Sequence, residues 1–538
     1  MKNYTENINF LIVDIKDKIG KPVSNRVVAA TIESLGIRDK DTLADFGVES
    51  IKILADIIFQ ELTTSPEHFN VKNRKEIEAS KSKENRTIPI SDYLTIKAKI
   101  FAHYYPLGIF HLLPVFLQIV AIVFFGYSLW TYVGFNLVQS TAVVLGVIVG
   151  LICTGGFVQV IGRQASFFWN HEDYFMTRQT INYLIKMGAK SILLVLALIF
   201  FLNFIFHLYP IQVLFIVFMY AFLVGLLLLF IAPLHTIEQR WVITVAILAA
   251  TSTAILLKSQ TDLMIYFTHW IGILIAILIS KLYLVYFFNR KIGKSQVDSN
   301  LTINISVMLY QNYNYFFYGV FIYVFIFIDR ILAWSSSISG ALPFLIYFDK
   351  DYEVGMDMAI LVFLLLAGVL EYSIASFSRF IEIGQKATTY RSPELFNKQL
   401  LKMYWHNVVI LLITSVLIYV LIHYLITASW GYEAQFNAVL VDVSVRVCLI
   451  GGFGYFFLAW GMLNTLYLFT LGKPAKSLRA IILACVLNLA VGFILSRFFA
   501  YEYSVIGMLC GAILFMLLTL RENIKFFKNL DYYYYAAY

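Results

Sequence analysis

The stretch INYLIKMGAKSILLVLALIFFLNFIFH, residues 181–207, decides the fold class. It opens with polar and basic residues and continues as an apolar run close to the 20 residues that a membrane-spanning helix needs. A second stretch, NKQLLKMYWHNVVILLITSVLIYVLIH, residues 397–423, aligns with it. A shared Lys-Met pair begins at residue 186 in the first stretch and at residue 402 in the second, which gives an offset of 216 residues.

The same offset relates two further pairs, Arg163 with Arg379 and His207 with His423. An offset that covers six helices preserves the direction in which the chain crosses the membrane. The sequence therefore predicts two six-helix halves, related as parallel repeats about an axis along the membrane normal. This architecture is typical of transporters and leaves a cavity between the halves.

The composition extends this interpretation to most of the chain. Of 538 residues, 60% are hydrophobic and 14% are charged, and the mean hydropathy is +0.76, whereas soluble domains carry about 25% charged residues. About twelve apolar runs follow one another, beginning with 110–131 and 136–160. The runs are continuous rather than alternating, which favours helices over a β-barrel. We expect an all-α, polytopic membrane protein with about twelve transmembrane helices in two six-helix bundles, plus a small helical cytosolic N-terminal domain.

Basic residues concentrate in alternate loops between the apolar runs. The positive-inside rule assigns these loops, and both chain termini, to the cytoplasm of a bacterial inner membrane. We call this predicted cytoplasmic side the inner side and the opposite side the outer side. The net charge of +8 is thereby explained without nucleic acid, and the partners expected from the bulk of the chain are membrane lipids. The first thirty residues lack the pattern of a cleaved signal peptide.

The chain divides into four predicted segments. Residues 1–71 form a small helical cytosolic domain, and residues 72–103 form a charged linker and an amphipathic approach to the membrane. Residues 104–300 form the first six-helix bundle and residues 301–538 the second. The four cysteines lie in apolar runs without metal-like spacing and are interpreted as small buried hydrophobic residues.

Several charged residues fall inside or beside the apolar runs of the second half. A charge at the bilayer centre costs at least about 2.5–3.5 kcal/mol, so each one needs a reason. Glu371 is the candidate for a protonatable group in the substrate pathway, and Asp329 and Arg330 lie near the outer end of the seventh run. Asp442 and Arg446 stand four residues apart and can pair on one helix face. These residues either line a polar cavity or, for the last two, form a neutralised structural pair.

The aromatic content is high, with 35 Tyr and 47 Phe. The stretch YQNYNYFFYGVFIYVF, residues 310–325, places Tyr313 and Tyr315 among asparagines on one predicted helix. Aromatic rings stack on sugar rings and amides hydrogen-bond hydroxyl groups, so we predict a saccharide-facing surface here. The alternative is ordinary packing or an interfacial aromatic belt. The acidic outer segment near residues 347–353 is interpreted either as an attractor for a cationic polymer or as a solvated loop.

The second half resembles PelG-type exopolysaccharide exporters. The resemblance rests on YFFYGVFIYVFIFIDRILAW (315–334), FDKDYEVGMDMAILVFLLLAGVLEYSIASFSRFIE (348–382) and LRENIKFFKNLDYYYYAAY (520–538). It implies membership of the multidrug/oligosaccharidyl-lipid/polysaccharide (MOP) exporter superfamily, twelve helices in two bundles, and export of a polysaccharide or its lipid-linked precursor. It also implies a cytosolic glycosyltransferase and accessory membrane proteins as partners. No Walker motif is present, so we expect no ATPase activity.

The segment TIESLGIRDKDTLADFGVESIKILADIIFQEL, residues 31–62, resembles an acyl carrier protein. In carriers a serine after a Gly-x-Asp turn holds a phosphopantetheine arm, which makes Ser50 the corresponding attachment residue, with Glu49 in place of the aspartate. The preferred alternative is that Ser50 caps a helix of a domain that binds a partner. No other cofactor is expected.

Two enzymatic functions are alternatives to export. A membrane acyltransferase fed by the N-terminal domain would need a general base at membrane depth, and His269 is the best candidate. A polyprenyl-phosphate glycosyltransferase commonly needs carboxylates in its first outer loop, and the predicted loop TYVGFN has none.

Overall fold

The computed structural model describes residues 4–64, 104–106, 108, 112–292, 305–336, 345–387, 393–428 and 440–528, except positions 20, 21, 23, 36 and 38. Within these ranges the regular structure is helical, and the single β-bridge joins Tyr127 to Tyr132. The all-α fold class is confirmed.

Four helices form an N-terminal module with a hydrophobic core of its own. The last of them places Ile51, Leu54, Ile58 and Leu62 on one face, and this face is buried against the other helices. The spacing of three and four residues explains why the segment is helical and which face it buries. The helices are α1 (Tyr4–Ile19), α2 (Asn25–Ser34), α3 (Asp39–Phe46) and α4 (Ile51–Thr64).

Thirteen helices follow in the apolar part of the chain. The first half contains α5 (Leu113–Phe125), α6 (Leu137–Val160), α7 (Ser166–Asn170), α8 (Tyr174–Phe206), α9 (Ile211–Thr236), α10 (Arg240–Gln260) and α11 (Ile265–Ile292), with a π-helical turn, Ile161–Ala165, joining α6 to α7. The second half contains α12 (Ile305–Ser336), α13 (Lys350–Ala387), α14 (Pro393–Thr427), α15 (Asp442–Thr470), α16 (Pro474–Phe498) and α17 (Ser504–Phe527).

Eleven helices of the described chain are long and apolar enough to cross a membrane, and α5 is a shorter apolar helix. This agrees with the prediction of about twelve spans in a polytopic membrane protein. The predicted limits of the first span, 110–131, are wrong at the C-terminal end. Gly126 adopts φ 62°, a left-handed conformation that ends α5, and its N–H donates to the carbonyl of Ile122. The chain then turns until Asn136 and Gln139 form the capping box that starts α6.

Many membrane helices extend beyond their apolar windows on the inner side. Helix α8 begins at Tyr174, although its apolar run begins near residue 190, and α13 continues to Ala387. The basic amphipathic segments predicted between the spans are therefore continuations of the spanning helices.

Two close glycine contacts join the halves. A Cβ atom built on Gly155 of α6 would lie 2.4 Å from the carbonyl oxygen of Gly319 in α12. A Cβ atom built on Gly108, just before α5, would lie 2.6 Å from the Cα of Gly368 in α13. In each contact the first membrane segment of one half meets the second helix of the other half. This reciprocity fits the parallel repeat that the 216-residue offset predicts, and small residues permit such close helix crossings in membranes.

Candidate functional site

A cluster of charged side chains lies in the outer part of the second half. Asp329 and Arg330 come from the last turns of α12, and Glu353 and Asp357 come from the first turns of α13. Glu353 and Asp357 are four residues apart, so they share one face of α13. Tyr352, beside them, completes the set, and all but Asp357 are buried.

Arg330 is the centre of the cluster. Its Nη1 atom donates to Glu353 Oε1 and lies 3.6 Å from Asp357 Oδ1, and its Nη2 atom lies 3.4 Å from the hydroxyl of Tyr455 in α15. The second buried acid, Asp329, accepts a hydrogen bond of 2.7 Å from the Tyr352 hydroxyl. Helices α12, α13 and α15 are thus held together through one guanidinium group.

The hydrogen bonding of this cluster is incomplete. Within the described residues, Asp329 Oδ1, Glu353 Oε2 and Arg330 Nε are buried without a hydrogen-bond partner. Three carboxyl groups surround one guanidinium group, which leaves a net charge of −2 if all three are ionised. Buried unpaired charge is costly. The arrangement therefore favours uptake of a proton or another monovalent cation by the carboxyl groups.

Asp357 is the exposed member of the cluster. Its side chain is 66% exposed, although it lies seven residues after Lys350, about 10 Å along the helix. The side chain of Asp357 therefore leaves the cluster open on one side, and we call this open side the recess at Asp357.

Comparison with solved structures identifies the fold. A mutant of the Vibrio cholerae MATE transporter VcmN superposes with a TM-score of 0.57 at 14% identity, over 82% of this chain and 99% of that chain. A MATE protein in complex with MaD5 gives a TM-score of 0.55 at 14% identity, over 80% and 97%. The chain has the MATE fold. An outward-facing multidrug resistance MATE family transporter of the MOP superfamily, with a TM-score of 0.53 at 12% identity over 81% and 96%, agrees.

The MATE fold agrees with the predicted polytopic helical architecture, whereas the superfamily and the PelG-type specificity remain predictions. No protein-family model matches the chain. No curated protein matches it either.

Glu371 lies within the candidate membrane span Lys350–Ser378 of α13, and its role in a substrate pathway stays a prediction. Helix α13 starts at Lys350, so Glu371 lies about 30 Å along it, near the inner side. Its Oε1 atom is 3.4 Å from Nη1 of Arg240, at the start of α10. The pair joins the two halves at their inner ends, and the outer charge cluster is a separate site.

The structure pairs Arg446 with a residue other than Asp442. Nη2 of Arg446 lies 2.8 Å from Oε1 of Glu502, in the short 3₁₀ turn before α17. Asp442 is the first residue of α15 and is exposed. There its negative charge is placed favourably for the helix dipole. The two residues share a helix, but Arg446 uses its charge to connect two helices.

The two tyrosines predicted to face saccharide have different environments. Tyr313 is 50% exposed. Tyr315 is buried, with its ring centroid 4.8 Å from that of Phe469 and 5.7 Å from the guanidinium carbon of Arg163. Tyr315 therefore packs at the inner contact between the halves, and only Tyr313 of the two is available to a ligand in this conformation.

His269 is not accessible as a general base. It is fully buried in α11, and its Nδ1 atom lies 2.6 Å from the Tyr220 hydroxyl. The ring of Tyr127 lies 4.6 Å from its ring. This environment gives no support to the acyltransferase alternative, because a substrate cannot reach the imidazole.

Ser50 stands directly before α4, as predicted. The backbone N–H of Ile53 donates to its hydroxyl oxygen at 3.4 Å, and the N–H of Ile51 donates to Oδ1 of Asp39 at 2.7 Å. A carboxylate thus already occupies the positive end of this helix. The arrangement favours the capping role of Ser50, because a further anion there would lie beside Asp39.

The sequence predicts Asp329 and Arg330 as site residues but does not predict Glu353, Asp357 and Tyr352 as their partners. The sequence pattern places the acidic segment near residues 347–353 outside the membrane helices, whereas Glu353 is buried in the first turn of α13. The available signal was the four-residue spacing of two acids at the start of a long apolar run.

Proposed function

We propose that this protein exports an exopolysaccharide, or its lipid-linked precursor, across the cytoplasmic membrane by exchange against protons or another monovalent cation. The observation that carries the coupling is the group of three carboxyl groups around Arg330, with unpartnered buried oxygens on Asp329 and Glu353. The MATE fold supplies the two halves between which a substrate would move.

The chemistry of the coupling follows from charge. When Asp329, Glu353 and Asp357 are all ionised, they carry three negative charges, and the single guanidinium group neutralises only one of them. Binding of a monovalent cation reduces the repulsion among the carboxyl groups and allows α12 and α13 to pack more closely at their outer ends. Release of the cation through the recess at Asp357 restores the repulsion. Cation occupancy thus gives the second half two packing states, which is the element that a transporter needs.

The polysaccharide substrate is supported by the resemblance to PelG-type exporters and by the exposed ring of Tyr313. The test is deletion of the gene, followed by complementation and quantification of surface polysaccharide and of lipid-linked glycan in the cytoplasmic membrane. Loss of surface polysaccharide with accumulation of precursor inside the cell supports the proposal. Normal surface polysaccharide together with altered export of small drugs would overturn the substrate assignment.

The exposed carboxyl group of Asp357 gives a direct test of coupling. We expect Asp357→Asn to reduce surface polysaccharide at least about tenfold and to abolish proton or sodium movement in proteoliposomes, because the entry to the cluster loses its charge. The matched control is Asp262→Asn, an exposed aspartate in the turn between α10 and α11, which should behave as wild type. Cation movement that persists in Asp357→Asn would refute the role of this residue.

We also propose that the N-terminal module recruits a cytosolic glycosyltransferase and that Ser50 is a helix cap rather than a carrier attachment residue. Intact-mass analysis of protein purified from its native host should show no phosphopantetheine adduct. Ser50→Ala should lower the stability of the module by about 1 kcal/mol, and Ser50→Asn, which restores a capping side chain, should not. An adduct that disappears in Ser50→Ala would establish the carrier function instead.

A further inference from the structure

The residues just before α13 contact the first half of the protein at the outer side. The Tyr209 hydroxyl, between α8 and α9, donates to the carbonyl oxygen of Ile346 at 2.9 Å and accepts from the Ile346 N–H at 3.1 Å. Thr141 of α6 accepts a hydrogen bond of 3.0 Å from the Phe348 N–H. We call residues 346–349 the outer strap. Two side chains of the first half thus hold the backbone of a segment of the second.

The outer strap is also fixed to the helices that carry the charge cluster. The Tyr347 N–H donates to the carbonyl oxygen of Trp334 in α12 at 3.2 Å. At the other end, Oδ1 of Asp349 accepts from the Tyr352 N–H at 2.9 Å and caps α13. Tyr352 in turn donates its hydroxyl hydrogen to Asp329. A continuous set of hydrogen bonds therefore runs from Asp329 to the outer strap.

Tyr209 is suited to a structural hydrogen bond. Burial raises the pKa of its hydroxyl above the usual value, against a smaller lowering by the hydrogen bond to Ile346. The hydroxyl therefore stays protonated and continues to donate. Because the hydroxyl donates to the carbonyl oxygen of Ile346 and accepts from the N–H of the same residue, its removal leaves two backbone groups without this partner.

We infer that the outer strap closes the outer side of the protein and transmits the charge state of the cluster to the contact between the halves. Tyr209 and Thr141 are the positioning residues of this closure. The inference rests on the proposed function, since cation occupancy of Asp329 and Glu353 is the event to be transmitted. A change at Asp329 alters its hydrogen bond with Tyr352, displaces the first turn of α13 and moves Asp349 with the strap.

Distances between spin labels test the closure without substrate. Cysteines introduced at Gln260 and Phe499 mark the outer ends of the two halves, and a second protein with cysteines at His171 and Lys402 marks the inner ends. Both proteins have the four native cysteines replaced by serine. In the double variant Tyr209→Phe, Thr141→Val, the outer distance should increase by about 5 Å, the scale of a one-turn displacement, with the inner distance unchanged.

The matched controls make the same side-chain changes, Thr to Val and Tyr to Phe, at positions away from the outer strap. Thr253→Val removes a hydroxyl that, like that of Thr141, donates to its own helix, and Tyr286→Phe removes an exposed hydroxyl beside Arg290 of the same helix. Both controls should give the wild-type outer distance. If the double variant also gives the wild-type distance, the closing role of the outer strap is wrong.

The transmission is tested with the strap residues intact. Asp329→Asn should move the outer distance away from its wild-type value, because it removes the charge of the group that Tyr352 contacts, as a bound cation would. If Asp329→Asn gives the wild-type outer distance while the double variant gives a changed one, the outer strap closes the outer side but does not transmit the charge state of the cluster. Neither readout requires transport, so failure of the polysaccharide assignment would not produce either result.

Discussion

Arg330→Gln is expected to abolish export and to lower the free energy of unfolding by about 3–5 kcal/mol, the cost of leaving a buried charge without its partner. The guanidinium group contacts Glu353, Asp357 and Tyr455, which come from two different helices. Glutamine keeps two hydrogen-bonding groups but no charge. The carboxyl groups of the cluster would then lose the only basic side chain with which the described structure pairs them.

The measurements are the thermal midpoint of purified protein in detergent and the surface polysaccharide of the complemented deletion strain. Arg497→Gln is the matched control: this arginine lies in α16, is exposed, and donates to Ser335 near the end of α12 at 2.7 Å. Arg497 contacts α12 outside the charge cluster. Its substitution should therefore lower the thermal midpoint only slightly.

A second substitution separates charge balance from packing. In the double variant Arg330→Gln, Glu353→Gln, one buried carboxyl group is removed with its partner, so most of the lost stability should return while export remains absent. The two changes are in contact and should be strongly non-additive. If the double variant is less stable than Arg330→Gln alone, unpaired negative charge is not what destabilises the cluster when Arg330 is lost.

The apolar runs predicted the membrane helices well because bilayer thickness imposes one minimum length on all of them. The segment 190–209, for example, lies almost entirely within α8. The end of α5 was missed because it depends on a single backbone conformation, that of Gly126, which apolar composition does not reveal. Hydropathy also cannot show where a helix continues into basic sequence, as α8 does between Tyr174 and its apolar run.

Ion pairs between side chains of different helices could not be predicted from the sequence either. The sequence places Arg446 four residues from Asp442, but the structure pairs it with Glu502, which is 56 residues later in the chain. Periodicity describes neighbours on one helix, whereas the crossing of separate helices decides which charges meet. The same limit applied to Arg330, whose carboxyl partners belong to α13. Within this cluster, the sequence predicts together only Asp329 and Arg330, which are adjacent in the chain.

Gly155→Ala is expected to disrupt the contact between the halves, because the new Cβ would lie 2.4 Å from the Gly319 carbonyl oxygen and 2.4 Å from the Tyr323 ring. The ring can rotate, but the backbone of α12 can respond only by moving away. Overpacking of this kind costs about 1–3 kcal/mol. This loss should exceed the gain of up to about 1 kcal/mol that alanine brings to a helix.

Gly162→Ala supplies the matched control, because nothing lies within 4 Å of a Cβ built at that position, two turns further along the same helical segment. It should leave the thermal midpoint and export unchanged or slightly improved. Gly319→Ala should reproduce the defect from the opposite helix, since its Cβ would lie 2.4 Å from the Gly155 carbonyl oxygen. Thermal midpoints in detergent rank the three variants directly. If Gly155→Ala matched Gly162→Ala in stability, α6 and α12 would not cross at these glycines, and the reciprocal contact between the two halves would lose its basis.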